Sequence, residues 1–469
     1  MTLSSARSAE RQWLAGDSHI HSHWSPGYNH EIQPPEPIKG QDALYSTPLN
    51  AQKAREFGLS WMVTTDHGGP NHSKYTFTHA YAELLESRRL VPEVLQFYGM
   101  ELNMPAMDHH TLIIPNATDE RSVLFEIERQ FDSQDAWPLD PSRDTEDAGD
   151  RALAFMTRLP RLPLMFANHP SRSATGLGKY GLDEPREFRN HNDLAPGIYR
   201  GMEGAPGHQA AALAPTGELK RGEDGAPTGF RGTYRNAGAY TMGGFDQMTA
   251  VVGGLWDSLL GEGRRFWIVA TSDSHVNYAD PSRPGGSDFW PGQYQKTYVH
   301  AERTYDGILD GLRSGRVFGV AGDLIRELDF AAAHGRDRAE TGGTLRLVRG
   351  KDVKVTVRFR DPDTANARGD TPSVTRVDVI VGDVGPRTED RNSDRNVSTK
   401  VVSRLTRKRW TRKGDVYMLK TTLPAVTRNI YVRVRGTSTT DKEPEMDVPG
   451  ENPWTDLWFY SNPIFIEVD

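Results

Sequence analysis

Five apolar stretches of this 469-residue chain end in His, Asp or Glu, and that recurrence limits the folds open to it more than any other feature. The first closes on Gly16-Asp17-Ser18-His19-Ile20-His21. Trp61-Met62-Val63-Thr64 runs into Thr65-Asp66-His67-Gly68, and Leu95-Gln96-Phe97-Tyr98 runs into Gly99-Met100-Glu101. Leu164-Met165-Phe166-Ala167 leads to Asn168-His169-Pro170, and the stretch 266–270 leads to Thr271-Ser272-Asp273-Ser274-His275. A further set, Asp108-His109-His110, precedes the apolar 111–114. Residues i and i+2 of a strand share a face, so His19 and His21 can reach one ion together. Alone, His-x-His is a weak motif. Parallel strands joined by helical crossovers, however, gather all these ends on one face. So many buried imidazoles and carboxylates carry a large desolvation cost without an ion between them.

Helical periodicity and caps predict helices over 50–58, 79–89, 123–131, 151–159, 246–261 and 305–315. Alternating with the strands, they predict an α/β fold. Residues 171–244 are rich in Gly, Pro, Arg and Asp and read as a long insertion with a strand over 198–203. From about residue 328 the texture changes to short alternating runs at 345–348, 353–359, 377–381, 416–419, 429–435 and 464–468. These predict a C-terminal antiparallel β-sandwich. The expected division is therefore 1–327 and 328–469.

The chain has no cysteine, so disulfides and thiolate metal sites are excluded, and any metal must use His, Asp and Glu. A net charge of −7 argues against nucleic acid or an anionic membrane as a partner of the whole surface. No apolar run is long enough to span a membrane, and residues 1–15 lack the apolar core of a secretory leader. A cytoplasmic location is the resulting expectation. A periplasmic or secreted one stays open if the N-terminus is trimmed.

The motifs His19-Ile20-His21, Thr65-Asp66-His67, Glu101, His110 (or His109), His169 and Asp273-Ser274-His275, in that order, resemble the PHP (polymerase and histidinol phosphatase) superfamily. Within it the chain looks most like the CehA/McbA-type metallohydrolases, to which Tyr460-Ser461-Asn462-Pro463-Ile464 contributes. The resemblance implies a distorted (β/α)7 barrel over about 16–320 with two or three divalent ions, Zn, Mn or Fe. His19, His21, Glu101 and Asp273 would hold the first ion. Glu101 would bridge to a second on His169 and His110, the latter favoured over His109. His67 and His275 would hold a third or act as acid/base groups, with Asp273 a further proton carrier. Asp17 and Asp66 would orient imidazoles. One departure stands out. Six residues after His21 the family has Asp, Glu or His, whereas this chain has Gly27, with His23 or His30 as candidate substitutes.

The expected function is hydrolysis of a small-molecule phosphoester by a metal-bridging hydroxide, with Arg172, Lys179 and Arg200 as candidate phosphate holders. The alternatives are a hydrolase of carboxyl esters, carbamates or amides, and a metal-stabilised binding protein without activity. The basic run 407–413 reads either as a polyanion patch or as a solvated hairpin edge whose cations discourage strand addition. Oligomeric state is not readable from the sequence.

Overall fold

The computed structural model describes residues 10–232 and 241–469. Part of the 171–244 insertion and most of the 1–15 segment therefore lie outside the described residues. Among the described residues the chain is a mixed α/β structure with 22 strands. Strands β1 (Gln12–Ile20), β2 (Gly27–Asn29), β3 (Glu36–Ile38), β4 (Trp61–Thr64), β5 (Leu95–Asn103), β6 (His109–Ile114), β7 (Leu164–Ala167), β8 (Tyr199–Ala205), β9 (Trp267–Ala270), β10 (Gln295–Ala301) and β11 (Val317–Ala321) come first. The remainder are β12 (Glu327–His334), β13 (Asp337–Glu340), β14 (Thr344–Leu347), β15 (Lys351–Arg360), β16 (Arg376–Asp383), β17 (Lys400–Thr406), β18 (Thr411–Lys413), β19 (Val416–Val426), β20 (Ile430–Thr437), β21 (Trp458–Ser461) and β22 (Ile464–Val468).

Most of these join one 15-stranded sheet whose path is β14-β22-β20-β21-β11-β10-β1-β4-β5-β6-β7-β8-β9, with β16 branching from β20 and β17 pairing with β16. Pairs β1–β4, β4–β5, β7–β8 and β8–β9 are parallel. The expectation of parallel strands throughout the site is corrected at β6, which is antiparallel to both β5 and β7. Its start, not its end, therefore lies beside the C-terminal ends of its neighbours. The four residues of β4, β7 and β9 are all buried, which fits their unbroken apolar sequence. The two ends of this run meet through side chains. Ala270 N donates to Thr297 Oγ1 on β10, and that hydroxyl donates back to Ala270 O. Ile20 and Ser274 add one parallel bridge.

Helices fall close to the predicted places, with caps that explain their shifts. The first runs Thr47–Glu56 because Ser46, not Asn50, accepts from the N–H of Leu49. The predicted helix 246–261 is two short helices, Gln247–Ala250 and Leu255–Gly261, broken at Gly253 (φ +79°).

The C-terminal region is strand-rich and antiparallel, with a second sheet of order β13-β12-β15-β19-β18. Val353, Val355, Val357 and Phe359 of β15 alternate inward onto Val377, Val379, Val432, Val434, Ile464 and Ile466. The sheet opposite is not separate from the first half of the chain, since β21 pairs with β11. The basic run 407–413 forms a 3-10 turn and the exposed edge strand β18.

Candidate metal centre

Every strand from β1 through β9 in the large sheet sends a polar residue to one pocket. His19 is the penultimate residue of β1, and His21 follows its end. Asp66 and His67 follow β4, His169 follows β7, and Asp273 and His275 follow β9. Glu101 lies within β5. His19 Nε2 and His21 Nε2 are 3.0 Å apart. Both lie 3.2 Å from Asp273 Oδ1 and 3.3 Å from a Glu101 oxygen. On the other side, Glu101 Oε1 is 3.0 Å from His169 Nε2 and 3.2 Å from His109 Nδ1, while Oε2 is 2.9 Å from His67 Nδ1.

The hydrogen bonds at the far side of each ring assign the tautomers. An ionised carboxylate only accepts, so Glu203 Oε1, 2.6 Å from His19 Nδ1, takes the N–H there. His21 Nδ1 faces the hydroxyl of Ser25 at 3.0 Å, and that oxygen also donates to Asp42. His275 Nδ1 faces the carbonyl of Asp273 at 3.0 Å. Each bond leaves a bare Nε2 aimed at the cluster. Two lone pairs 3.0 Å apart, facing carboxylate oxygens, repel unless a cation lies between them. Ligand–metal bonds of about 2.0–2.2 Å give edges of roughly 3 Å between neighbouring ligands, the spacing seen here. The same cluster holds five buried atoms with no hydrogen-bond partner: Glu101 Oε2, Asp108 Oδ2, His109 Nδ1, His169 Nδ1 and Asp273 Oδ1. Such orphans are rare in native proteins. The residues present therefore fit bound divalent ions, and they form several such groups, among them His19/His21/Glu101/Asp273 and His67/Glu101/His109.

Without an ion the facing imidazoles would take up protons in its place: burial alone would raise both carboxyls, but the charge of His109 first for Glu101, and of His19 first for Asp273, holds them well below the usual carboxylate range. Burial holds His67 down to about 4. For His275 burial is opposed by the bond to Asp42 and by the charge of Asp273, which together raise it to about 9. His169 and Asp273 have left-handed backbones (φ +30° and +46°), a costly conformation that clusters at functional sites.

Several expectations are corrected. The pair in Asp108-His109-His110 does split across the strand, but His109 faces the cluster and His110 does not. Register pairs Asn103 with His109 and Leu102 with His110. Asn103 shares the face of Glu101, whereas Leu102 faces the packed side, where His110 Nε2 meets Tyr199 OH at 3.0 Å. Burial holds His110 down to about 3. Asp17 and Asp66 bind backbone rather than imidazoles. Asp17 accepts from the N–H groups of His19 and Ser272, and Asp66 from the N–H and hydroxyl of Ser22. Burial raises Asp17 to about 7 and Asp66 to about 6.

Of the cations, Arg172 lines the pocket and donates to Asp108. Lys179 is exposed and does not line it. Arg200 sits at the opposite end of β8, where it donates to the carbonyls of Pro196 and Arg313. His23 bonds to Glu83 instead of the cluster, and His30 is exposed.

The gap at Gly27 is filled from elsewhere. Asp42 Oδ2 is 3.4 Å from His275 Nε2 and 3.8 Å from His67 Nε2, and the four residues His21, Asp42, His67 and His275 form one ligand group. Sequence reading also missed Glu203, His208 and Asp288. Glu203 is a charged residue inside a buried strand, a position that requires a partner and so was a usable signal. His208 Nε2 lies 2.8 Å from Asp273 Oδ2, and its Nδ1 lies 2.5 Å from Asp288 Oδ1. The pocket has a volume of about 410 Å³. Val276 and Pro284 are its aliphatic lining, and the rest is charged, polar or glycine.

No protein-family model matches the chain, and no curated protein sequence does either. Among solved structures, it overlaps loosely with Endonuclease Q, crystallised with a 27-mer duplex bearing an abasic lesion at the active site. The TM-score is 0.32 and the identity 14%, over 65% of this chain and 56% of that one. It thus spans little more than half the length of that protein. A second overlap is with the glycoside hydrolase family 30 subfamily 8 xylanase Xyn30A from Clostridium acetobutylicum, at a TM-score of 0.20 and 12% identity over 97% of both chains. Overlaps this loose leave the functional argument to the residues of the pocket.

Proposed function

We propose that the chain is a metal-dependent phosphoester hydrolase of PHP type acting on a small, hydrophilic substrate. In this reading residues 1–327 form the distorted barrel and 328–469 an accessory sandwich. The observation that carries it is the convergence of bare imidazole nitrogens and orphaned carboxylate oxygens around Glu101. His19, His21, Glu101 and Asp273 would hold one ion, and Glu101, His109 and His169 a second. Asp42, His67 and His275, with His21, would hold a third. Zn, Mn or Fe suits ligands of nitrogen and oxygen only. Bound there, such ions supply Lewis-acid and water-activating chemistry at neutral pH.

The chain's own residues do the remainder. Arg172 holds a phosphate oxygen from the pocket wall, its fork kept in place by Asp108. Where only two ions are held, His275 or His67, which line the same pocket, would be free to carry the proton to the leaving oxygen. A lining with so little aliphatic surface favours an anionic, hydrophilic group over an aryl ester or carbamate. Metal analysis of the purified protein, with parallel assays of p-nitrophenyl phosphate, bis(p-nitrophenyl) phosphate and aryl esters, tests the reading. Turnover of a phosphoester, abolished in His19→Ala, is the expected result. Turnover of aryl esters alone, or a protein that takes up no metal, overturns it.

A further inference from the structure

The two oxygens of Asp273 keep different company. Oδ1 lies 3.2 Å from the bare nitrogens of His19 and His21 and has no hydrogen-bond partner. Oδ2 lies 2.8 Å from His208 Nε2. The opposite nitrogen of that ring is 2.5 Å from Asp288 Oδ1. Asp288 is itself fixed. Its Oδ2 accepts from the N–H groups of His275 and Val276 at 2.7 and 2.8 Å, and its Oδ1 accepts from the Ser287 hydroxyl at 2.8 Å. A ring between two acceptor-only carboxylates donates to both.

The backbone is bent to make this chain of bonds. His208 is left-handed (φ +57°), as is Asp273 (φ +46°), a conformation that persists only where its surroundings enforce it. Gly207 lets the loop pass over the end of β9, since a Cβ there would sit 2.1 Å from Ser272 O.

We propose that His208, anchored by Asp288, is a positioning residue that turns one oxygen of Asp273 away and presents only Oδ1 to the ion held with His19 and His21. The proposal rests on the metal-centre reading above. A carboxylate pinned in this way cannot chelate, and its reach toward the ion is set before the ion arrives. Partners of this kind typically contribute 10–100-fold to metal affinity.

The test uses the full chain, stripped of metal and titrated with Zn or Co(II) against a chromophoric chelator. His208→Ala should weaken one site by about 10–100-fold and leave the others unchanged, whereas Asp288→Ala, which also frees the backbone of His275, should weaken that site by at least as much. The Co(II) d–d absorption should change in intensity, because a released carboxylate can bind through both oxygens. His208→Gln retains an N–H toward Asp273 and should recover most of the affinity. That variant also serves if His208→Ala does not fold. Wild-type affinity and an unchanged Co(II) spectrum in His208→Ala overturn the inference, as does His208→Gln binding no better than the alanine variant. A wild-type chain that binds no metal overturns the metal-centre reading itself.

Discussion

Two clusters of buried charge differ in how they are balanced. At the junction between the large sheet and the C-terminal strands, Asp257 accepts from Arg433 Nε and Nη2 at 2.9 and 2.7 Å. It also accepts from the Tyr431 hydroxyl at 2.8 Å and the Gly253 N–H at 2.7 Å. Arg435 is likewise matched to Asp378 and Glu443. Opposite charges meet, and apart from Arg433 Nη1 and Arg435 Nη1 the donors of these arginines meet acceptors. In the pocket around Glu101, acceptors meet acceptors: bare imidazole nitrogens point at carboxylate oxygens, and five buried atoms go without a partner. Both have buried centres: Asp257, Asp378, Arg433 and Arg435 in one, and His19, His21, Glu101 and Asp273 in the other. The junction balances its charges from within, with only Arg433 Nη1 and Arg435 Nη1 left over, whereas the pocket sets its unpartnered atoms against one another in groups that fit a cation. Inventories of buried ionisable groups do not separate the two cases, and the direction of each hydrogen bond does.

The largest expected effect separates the clusters outright. Asp273→Ala or His19→Ala should lower bound metal, measured by elemental analysis, and reduce phosphoester turnover by more than roughly 100-fold, beyond what outer partners of a metal contribute. Asp257→Ala should leave metal content unchanged. It should instead cost about 3–5 kcal/mol in urea unfolding, because Arg433 is left buried without its partner. If Asp257→Ala removes metal, or Asp273→Ala unfolds the chain as Asp257→Ala does, the contrast fails.

A third buried pair sharpens the comparison through pH. His72 Nδ1 lies 2.8 Å from Glu128 Oε1, and its Nε2 lies 3.0 Å from Trp24 O. Burial opposes the imidazolium, but Glu128 outweighs it and raises His72 to about 9. A raised value contributes stability that is full below the unfolded value near 6.5 and is lost as pH rises through 9. Unfolding free energy should therefore fall by on the order of 3 kcal/mol between pH 6 and pH 10, and His72→Gln should remove that dependence. A dependence unaltered in His72→Gln would assign it elsewhere. The smallest effect concerns neighbours in sequence. His109→Ala should weaken metal binding with little loss of stability. His110→Ala should cost about 1–3 kcal/mol by stranding the Tyr199 hydroxyl, with metal binding intact.

The sequence made the strands and their polar ends legible because both depend on local pattern. Trp61–Thr64 and Leu164–Ala167 are strands to the residue, and the ligand types at their ends follow directly. What stayed hidden depends on register or on loops. Alternation said that one of His109 and His110 faces inward, but the choice is set by the antiparallel pairing of Asn103 with His109, which no local pattern encodes. Asp42 arrives from a loop 15 residues beyond the expected place at Gly27, and only the fold brings it to His275. His208 follows a strand whose end looked unremarkable in sequence, within a region read as insertion. Arg200 failed for the opposite reason, since nearness in sequence to His169 says nothing about which end of β8 it occupies.

The pairing of β21 with β11 bears on how the protein is made. Asn462, just past β21, serves as a surrogate partner for β9: Ile268 N donates to its Oδ1 at 2.9 Å, and its Nδ2 donates to Ile268 O at 3.3 Å. That strand carries Asp273 and His275 to the pocket. A ribosome that has added Ile268 must add 194 more residues before Asn462 exists. Sequential folding from the N-terminus therefore leaves this edge of β9 unpaired at Ile268 while the C-terminal strands are being translated. Until Asn462 has left the exit tunnel, the free edge of β9 at Ile268 lacks this partner, although β8 already pairs with its other edge.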